Sequence, residues 1–138
     1  MPRKDIMHDI VKQALIKDDW TITHDPLHID FGDTEFFIDL GAEILLGANQ
    51  GGREIAVEVK SFIRASSLNE FHTAVGQFVN YRIVLSETEP NRELYLALPE
   101  DIHANLLQTR FGQLAINKHK LKVIVVDEEE ERIVQWIE

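Results

Sequence analysis

From Asp5 to Lys17 apolar residues fall at three- and four-residue steps, at Ile6, Met7, Ile10, Val11, Ala14 and Leu15, and this stripe predicts an amphipathic helix. The period then changes to two. Trp20-Thr21-Ile22-Thr23 alternates as a strand does, Asp25-Pro26 signals a turn, and Leu27, Ile29 and Phe31 alternate with polar partners up to Gly32-Asp33. Phe36 to Leu40 and Ile44 to Leu46 are apolar runs leading into Asn49-Gln50-Gly51-Gly52, whose tolerance of positive φ predicts a hairpin centred near Gln50-Gly51. Its second strand spans Glu54 to Phe62. Because side chains alternate across a pleat, Ile55, Val57 and Val59 share one face, and Ala56, Glu58 and Lys60 share the other.

Ser67-Leu68-Asn69-Glu70 matches a capping box and opens a second helix, continued at helical spacing by Phe71, Val75, Phe78 and Val79 to about Leu85. Leu94 to Leu98 is an apolar run closed by Pro99, Ile102 to Leu107 and Leu114 to His119 read as helical, and Lys122 to Val126 as a buried strand. Arg132 to Ile137 is placed to pair with that strand across the four acids Glu128 to Glu131. With no internal repeat, low-complexity tract or linker, residues 1–138 read as a single domain.

The chain has 138 residues, enough to bury a core without a disulfide or structural metal. It has no cysteine, which excludes disulfide scaffolds, thiol catalysis, thiolate zinc sites and iron–sulfur clusters. The N-terminus lacks an apolar signal region and no apolar run approaches membrane-spanning length, so the expected setting is the cytoplasm, away from a membrane. Charge changes the picture more. Twenty-four acids against 14 bases give a net charge of −10, which disfavours a generic nucleic-acid binder, although basic clusters such as Lys118, Lys120 and Lys122 leave room for a local phosphate contact.

Chemistry concentrates on Asp39, Glu58-Val59-Lys60, and Gln77 with Tyr81, a helical pair on one face. Two carboxylates about 4 Å apart repel by roughly 4 kcal/mol at an effective dielectric near 20, so such a pair calls for a proton or a cation. A divalent metal such as Mg²⁺ takes oxygen ligands, keeps several waters, orients a phosphodiester and acidifies water; a nearby ammonium positions that water or offsets charge on phosphorus. In that scheme Asp39 and Glu58 are ligands and Lys60 is the positioning cation.

This arrangement resembles the PD-(D/E)XK, or restriction-endonuclease-like, superfamily. The resemblance implies an α/β fold whose core runs α-β-β-β-α-β, with a mixed central sheet flanked by helices and a C-terminal helical and strand tail. It also implies Asp39, Glu58 and Lys60 as catalytic residues, Mg²⁺ or Mn²⁺ as cofactor, and Gln77 and Tyr81 as substrate-binding residues. His8 stands about where many relatives carry a first-helix glutamate, and Ile38 replaces the proline that often precedes the first acid.

A closer resemblance spans nearly the whole chain. Lys4-Asp5-Ile6, Trp20-Thr21-Ile22-Thr23-His24-Asp25-Pro26, Ile38-Asp39-Leu40-Gly41-Ala42-Glu43, Ile55-Ala56-Val57-Glu58-Val59-Lys60-Ser61-Phe62, Gly76-Gln77-Phe78-Val79-Asn80-Tyr81 and Ile133-Val134-Gln135-Trp136-Ile137 are similar to the XisH family, the fdxN-element excision controlling factors. That resemblance implies an accessory role in excising a DNA element that interrupts a nitrogen-fixation gene in differentiating cyanobacterial cells. A separate recombinase exchanges the strands, and a companion protein, XisI, is usually encoded alongside. It leaves open whether the chain is a metal-dependent DNA endonuclease or a non-catalytic module acting through XisI or the recombinase. It also leaves open direct DNA binding and assembly into a homo-oligomer.

Each feature has a plainer reading. Glu58 and Lys60 alone would be a solvated strand face, Gln77 and Tyr81 polar members of an amphipathic helix, and His8 a boundary histidine. Asp39 between apolar neighbours must lie at an edge, find donors or bind a cation, and its nearest plain partner is the turn at Gly41. No zinc-protease, P-loop, dinucleotide-binding or serine-hydrolase pattern occurs.

Overall fold

In the computed structural model, which describes residues 3–45, 52–62 and 66–138, alternation along the strands sorts the core onto two faces of one sheet. Helix α1 spans Arg3–Lys17 and is followed by strands β1 (Thr21–His24), β2 (Leu27–Phe31), β3 (Thr34–Ile38), β4 (Leu40–Leu45) and β5 (Gly52–Val59). Helix α2 (Ser67–Thr88) leads to β6 (Arg92–Pro99), the short α3 (Glu100–Ala104), a 3-10 turn at Leu106–Gln108, α4 (Arg110–His119), β7 (Val123–Asp127) and β8 (Arg132–Ile137).

Six strands form the main sheet in the order β1-β4-β5-β6-β7-β8, while β2 and β3 make a separate two-stranded sheet. The β5–β6 and β6–β7 pairings are parallel and the others antiparallel, so the central sheet is mixed. Parallel strands need a crossover, and α2 supplies it between β5 and β6. With the β2–β3 hairpin set aside as an insertion, the main-sheet elements up to β6 run α-β-β-β-α-β, as the sequence predicts. The apolar run Phe36 to Leu40 does not form one strand: it breaks at Asp39, where the chain leaves the two-stranded sheet for the main one, so β2 and β3 stand apart from the three core strands.

One face of the sheet packs Ile55, Val57 and Val59 with Met7, Val11, Ala14 and Leu15 of α1. The other packs Ala56, Leu94, Leu96 and Leu98 with Phe71, Ala74 and Phe78 of α2 and with Leu27, Ile29 and Ile38 of the hairpin. Covered on both sides, the end of β5 is buried from Ile55 to Val59, the pattern of a strand between two helical layers. Ile6, in the predicted stripe of α1, stays 37% exposed.

Two predicted details shift. The cap of α2 is Ser66, not Ser67: its Oγ accepts from the Asn69 N–H at 3.2 Å, and the helix runs past Leu85 to Thr88. The predicted hairpin centre near Gln50-Gly51 lies outside the described residues, though β4 and β5 on either side pair antiparallel as that turn requires. At the far end β8 pairs with β7 across the acidic turn, where Asp127 Oδ1 accepts from the N–H of Glu129 at 3.0 Å. Tilted contact of Trp20 with Trp136, ring centres 5.7 Å apart, pins that edge strand to the α1 side. No described helix is long and apolar enough to cross a membrane.

Candidate functional site

Asp39 occupies the bend between β3 and β4, beside the finishing end of β5, because Leu40 pairs with Val57. Two reciprocal bonds hold it there. The Val59 N–H donates to Asp39 Oδ2 at 2.8 Å, and the Asp39 N–H donates to Glu58 Oε1 at 3.3 Å. The acid therefore finds its donor across the strand pair, not at the turn near Gly41. Val59 N–H was invisible to side-chain reasoning, since a backbone donor leaves no mark in the sequence.

Glu58 projects from β5 on the same face as Ala56, toward the layer containing α2. It is 6% exposed, so the solvated-face reading fails. Lys60 follows the last residue of β5; its N–H donates to the Ala97 carbonyl at 2.9 Å, and its Nζ stands 3.4 Å from Glu58 Oε2. The structure thus brings Asp39, Glu58 and Lys60 together.

Burial, and then the neighbouring Asp39 carboxylate, push the Glu58 carboxyl up to about 7, against the opposing pull of Lys60. One lysine does not offset two acids in this setting. The pair can relieve the excess by keeping a proton on Glu58 or by accepting a cation.

Tyr81 faces the same acids from α2. Burial, then the Glu58 and Asp39 charges, push its phenol up to about 12, so at neutral pH it is a hydrogen-bond donor. Phe36 of the inserted hairpin packs edge-on against its ring at 6.3 Å between centres. Gln77, one turn earlier on the same helical face, has a buried Oε1 without a hydrogen-bond partner. An unsatisfied buried acceptor costs stability, which fits a group kept for a donor brought by a ligand.

His8 is drawn elsewhere. Its Nε2 lies 2.7 Å from Asp25 Oδ1, and Lys12 Nζ donates to Asp25 Oδ2 at 2.8 Å. Burial raises the Asp25 carboxyl, but hydrogen bonds from Lys12 and His8 outweigh it and hold the group below its usual range. Asp25 stands beside a proline in a cis Asp25–Pro26 turn, seventeen residues from His8, and nothing in the sequence marks the pairing. A second network missed by sequence reasoning joins Arg53, Glu93, Tyr95 and Glu138: Arg53 Nη2 lies 2.6 Å from Glu93 Oε2, and the Tyr95 hydroxyl bonds to Glu138.

The donor set can be tested against a metal. Among the described residues no group of three or more His, Cys or acidic side chains gathers as a cation cage. Asp39 and Glu58 offer two carboxylates, with Asp39 Oδ1 outside the bond from Val59. That set fits Mg²⁺ or Mn²⁺, which bind through one or two carboxylates and retain waters, and does not fit a fully protein-ligated zinc centre.

A family profile described as XisH protein matches residues 1–134. A crystal structure of an XisH family protein from Nostoc punctiforme is 44% identical, with a TM-score of 0.89, covering 97% of this chain and all of that one. A crystal structure of an fdxN element excision controlling factor protein from Anabaena variabilis is also 44% identical, with a TM-score of 0.87, covering 97% of this chain and 99% of that one. No curated protein matches the chain.

Proposed function

The chain belongs to the XisH family, and from that premise we propose that it controls excision of a DNA element, as the printed name of its Anabaena relative describes, on a PD-(D/E)XK-like scaffold with a divalent-metal phosphodiesterase site. The observation that carries the chemical part is the pairing of half-buried Asp39 with buried Glu58, whose carboxyl is raised to about 7, and Lys60 only 3.4 Å away. An ordinary structural ion pair does not set two acids, one of them buried, against one base.

In this reading Asp39 and Glu58 hold Mg²⁺ or Mn²⁺, with Val59 N–H fixing the rotation of Asp39. Bound there, the cation would neutralise the pair, orient a phosphodiester and acidify an attacking water. Lys60, tied to β6 through its own N–H, holds its ammonium beside the acids to position that water and offset charge building on phosphorus. Tyr81 contributes a protonated hydroxyl, and Gln77 an acceptor for a substrate N–H or O–H.

The net charge of −10 favours a second reading, in which the site is vestigial and the chain is an interaction module acting through an XisI companion or the recombinase. The discriminating experiment is cleavage of linear, supercoiled and branched DNA with Mg²⁺ or Mn²⁺, with and without XisI. Cleavage lost in both Glu58→Ala and Lys60→Ala supports the nuclease; no cleavage by a folded, XisI-binding wild type supports the module.

A further inference from the structure

On this acidic protein, one cleft gathers cations instead. A cavity of about 180 Å³ lies between the last turns of α2, the start of β6 and the link from α4 to β7, floored by Phe78, Leu85 and Leu94. Arg82, Arg92, Lys120 and Lys122 line it, against one acid, Glu93. None of these residues belongs to the Asp39–Glu58 site, which lies at the finishing end of β5.

The four cations are not equally committed. Arg92 is held by Glu54 at 3.2 Å and Glu89 at 2.9 Å. Lys122 stands 3.5 Å from Glu93, a carboxylate that also takes Arg53 at 2.6 Å, while Arg53 reaches Glu138 at 3.2 Å as well, so Lys122 shares its acid with a base that has a second partner. Arg82 and Lys120 have no acidic partner among the described residues. Arg82 spends Nη1 on the carbonyls of His119, at 2.7 Å, and Lys120, at 3.3 Å. It thereby fixes the link that carries Lys120, leaving the rest of its guanidinium fork unassigned.

Lys120 is held in an unusual way. As the C-cap of α4 it adopts φ 54, ψ 50, a left-handed conformation that glycine takes freely and side-chain-bearing residues only at a cost, as Asp19, Phe62 and Glu131 also do with positive φ in this chain. A lysine there, beside an unpaired arginine, places a charge where backbone chemistry alone would choose glycine. A guanidinium fork with one or two ammonium groups over an apolar floor is a recognised arrangement for phosphate. The cavity has room for one phosphoryl group and part of its ester. A wider groove of about 580 Å³ along α4, lined also by Glu138, shares Lys120 and Lys122 and offers Gln113 and Asn117 to the remainder of the ligand.

We infer that this cleft is a phosphate-binding site, in which Arg82, Lys120 and Lys122 hold a phosphoryl group belonging either to a small phosphate ester or to a DNA backbone. The test uses inorganic phosphate as the probe, titrated into the ¹⁵N-labelled protein at fixed pH and ionic strength with chloride as the balancing anion. Saturable amide shifts should cluster at Ser86, Leu94, Lys120 and Lys122. Arg82→Gln and Lys120→Gly should each weaken binding about tenfold, the loss of one charge-assisted hydrogen bond.

Lys120→Gly keeps the readout clean, because glycine suits the left-handed position and should leave the thermal midpoint at or above wild type. Unchanged affinity in that variant, or shifts scattered over the surface, overturns the site. Competition identifies the source. Displacement of phosphate by an unphosphorylated DNA duplex, with steep salt dependence, assigns the site to a nucleic-acid backbone; displacement by adenosine monophosphate but not by the duplex assigns it to a small phosphate ester. Either result sustains the phosphate site.

Discussion

The main-chain N–H of Asp39 donates to the Glu58 carboxylate at 3.3 Å, while Asp39 itself receives the N–H of Val59. The bend that carries the chain from the inserted hairpin into the main sheet is thus fastened by the two acids it brings together. Fold and candidate chemistry share the same bonds, so substitutions there should move stability and metal affinity in separable directions.

Replacing Glu58 by Gln should stabilise the metal-free protein at pH 8 and leave it nearly unchanged at pH 4. Burial and Asp39 raise the folded carboxyl to about 7 from an ordinary value near 4.5. The unfolded chain therefore loses this proton first, and wild-type stability falls as pH rises between those values. A shift of that size corresponds to roughly 3 kcal/mol at most, so a gain of about 1–3 kcal/mol is expected, read by urea unfolding at both pH values.

Asp39→Ala and Asp39→Asn should differ. Alanine leaves the part-buried Val59 N–H without its acceptor, whereas asparagine retains a carbonyl oxygen for it. Asp39→Ala should therefore be less stable than Asp39→Asn by about 1–3 kcal/mol, while both lose divalent-cation binding. Denaturation curves check the first statement and calorimetric titration with Mn²⁺ the second.

Mg²⁺ should raise the thermal midpoint of the wild type at pH 8 and leave that of Glu58→Gln unmoved, because the cation binds the folded, deprotonated pair alone. The stabilisation should shrink as pH falls below about 7, where Glu58 holds its proton. Equal Mg²⁺ responses in both proteins would detach the effect from this site.

Arg92→Ala tests the frame rather than the chemistry. The Arg92 Nη1 donates to the buried Ile55 carbonyl at 3.0 Å and its other nitrogens reach Glu54 and Glu89. The two glutamates retain contact with water, so the cost of about 1–3 kcal/mol is mainly that of the lost charge-assisted hydrogen bond to the Ile55 carbonyl. Equilibrium unfolding measures it, and metal binding should be retained.

Much of this architecture is legible in the sequence because it rests on periodicity. The stripe through Met7, Val11 and Leu15, the alternation through Ile55, Val57 and Val59, and the apolar run from Val123 to Val126 each report burial directly. The same alternation placed Glu58 and Lys60 on one side, and their contact follows from it. What the pattern hides is a change of direction within an apolar run. Phe36 to Leu40 reads as continuous, yet the chain changes sheets at Asp39, a decision made by the Val59 N–H across the strand pair. Ser66 and Ser67 are chemically equivalent caps until one hydroxyl meets the Asn69 N–H. His8 had a position along α1 but no visible competitor, and Asp25 proved to be its partner.

Whether Asp39 and Glu58 hold a divalent cation is read most directly by anomalous diffraction from crystals of this protein soaked in Mn²⁺ near pH 8. One peak is expected within about 2.0–2.6 Å of oxygens from both Asp39 and Glu58, with the remaining positions held by water, and it should be lost in Glu58→Gln crystals. A fully soaked wild-type crystal without a peak there, or with the same peak in Glu58→Gln, would contradict that binding.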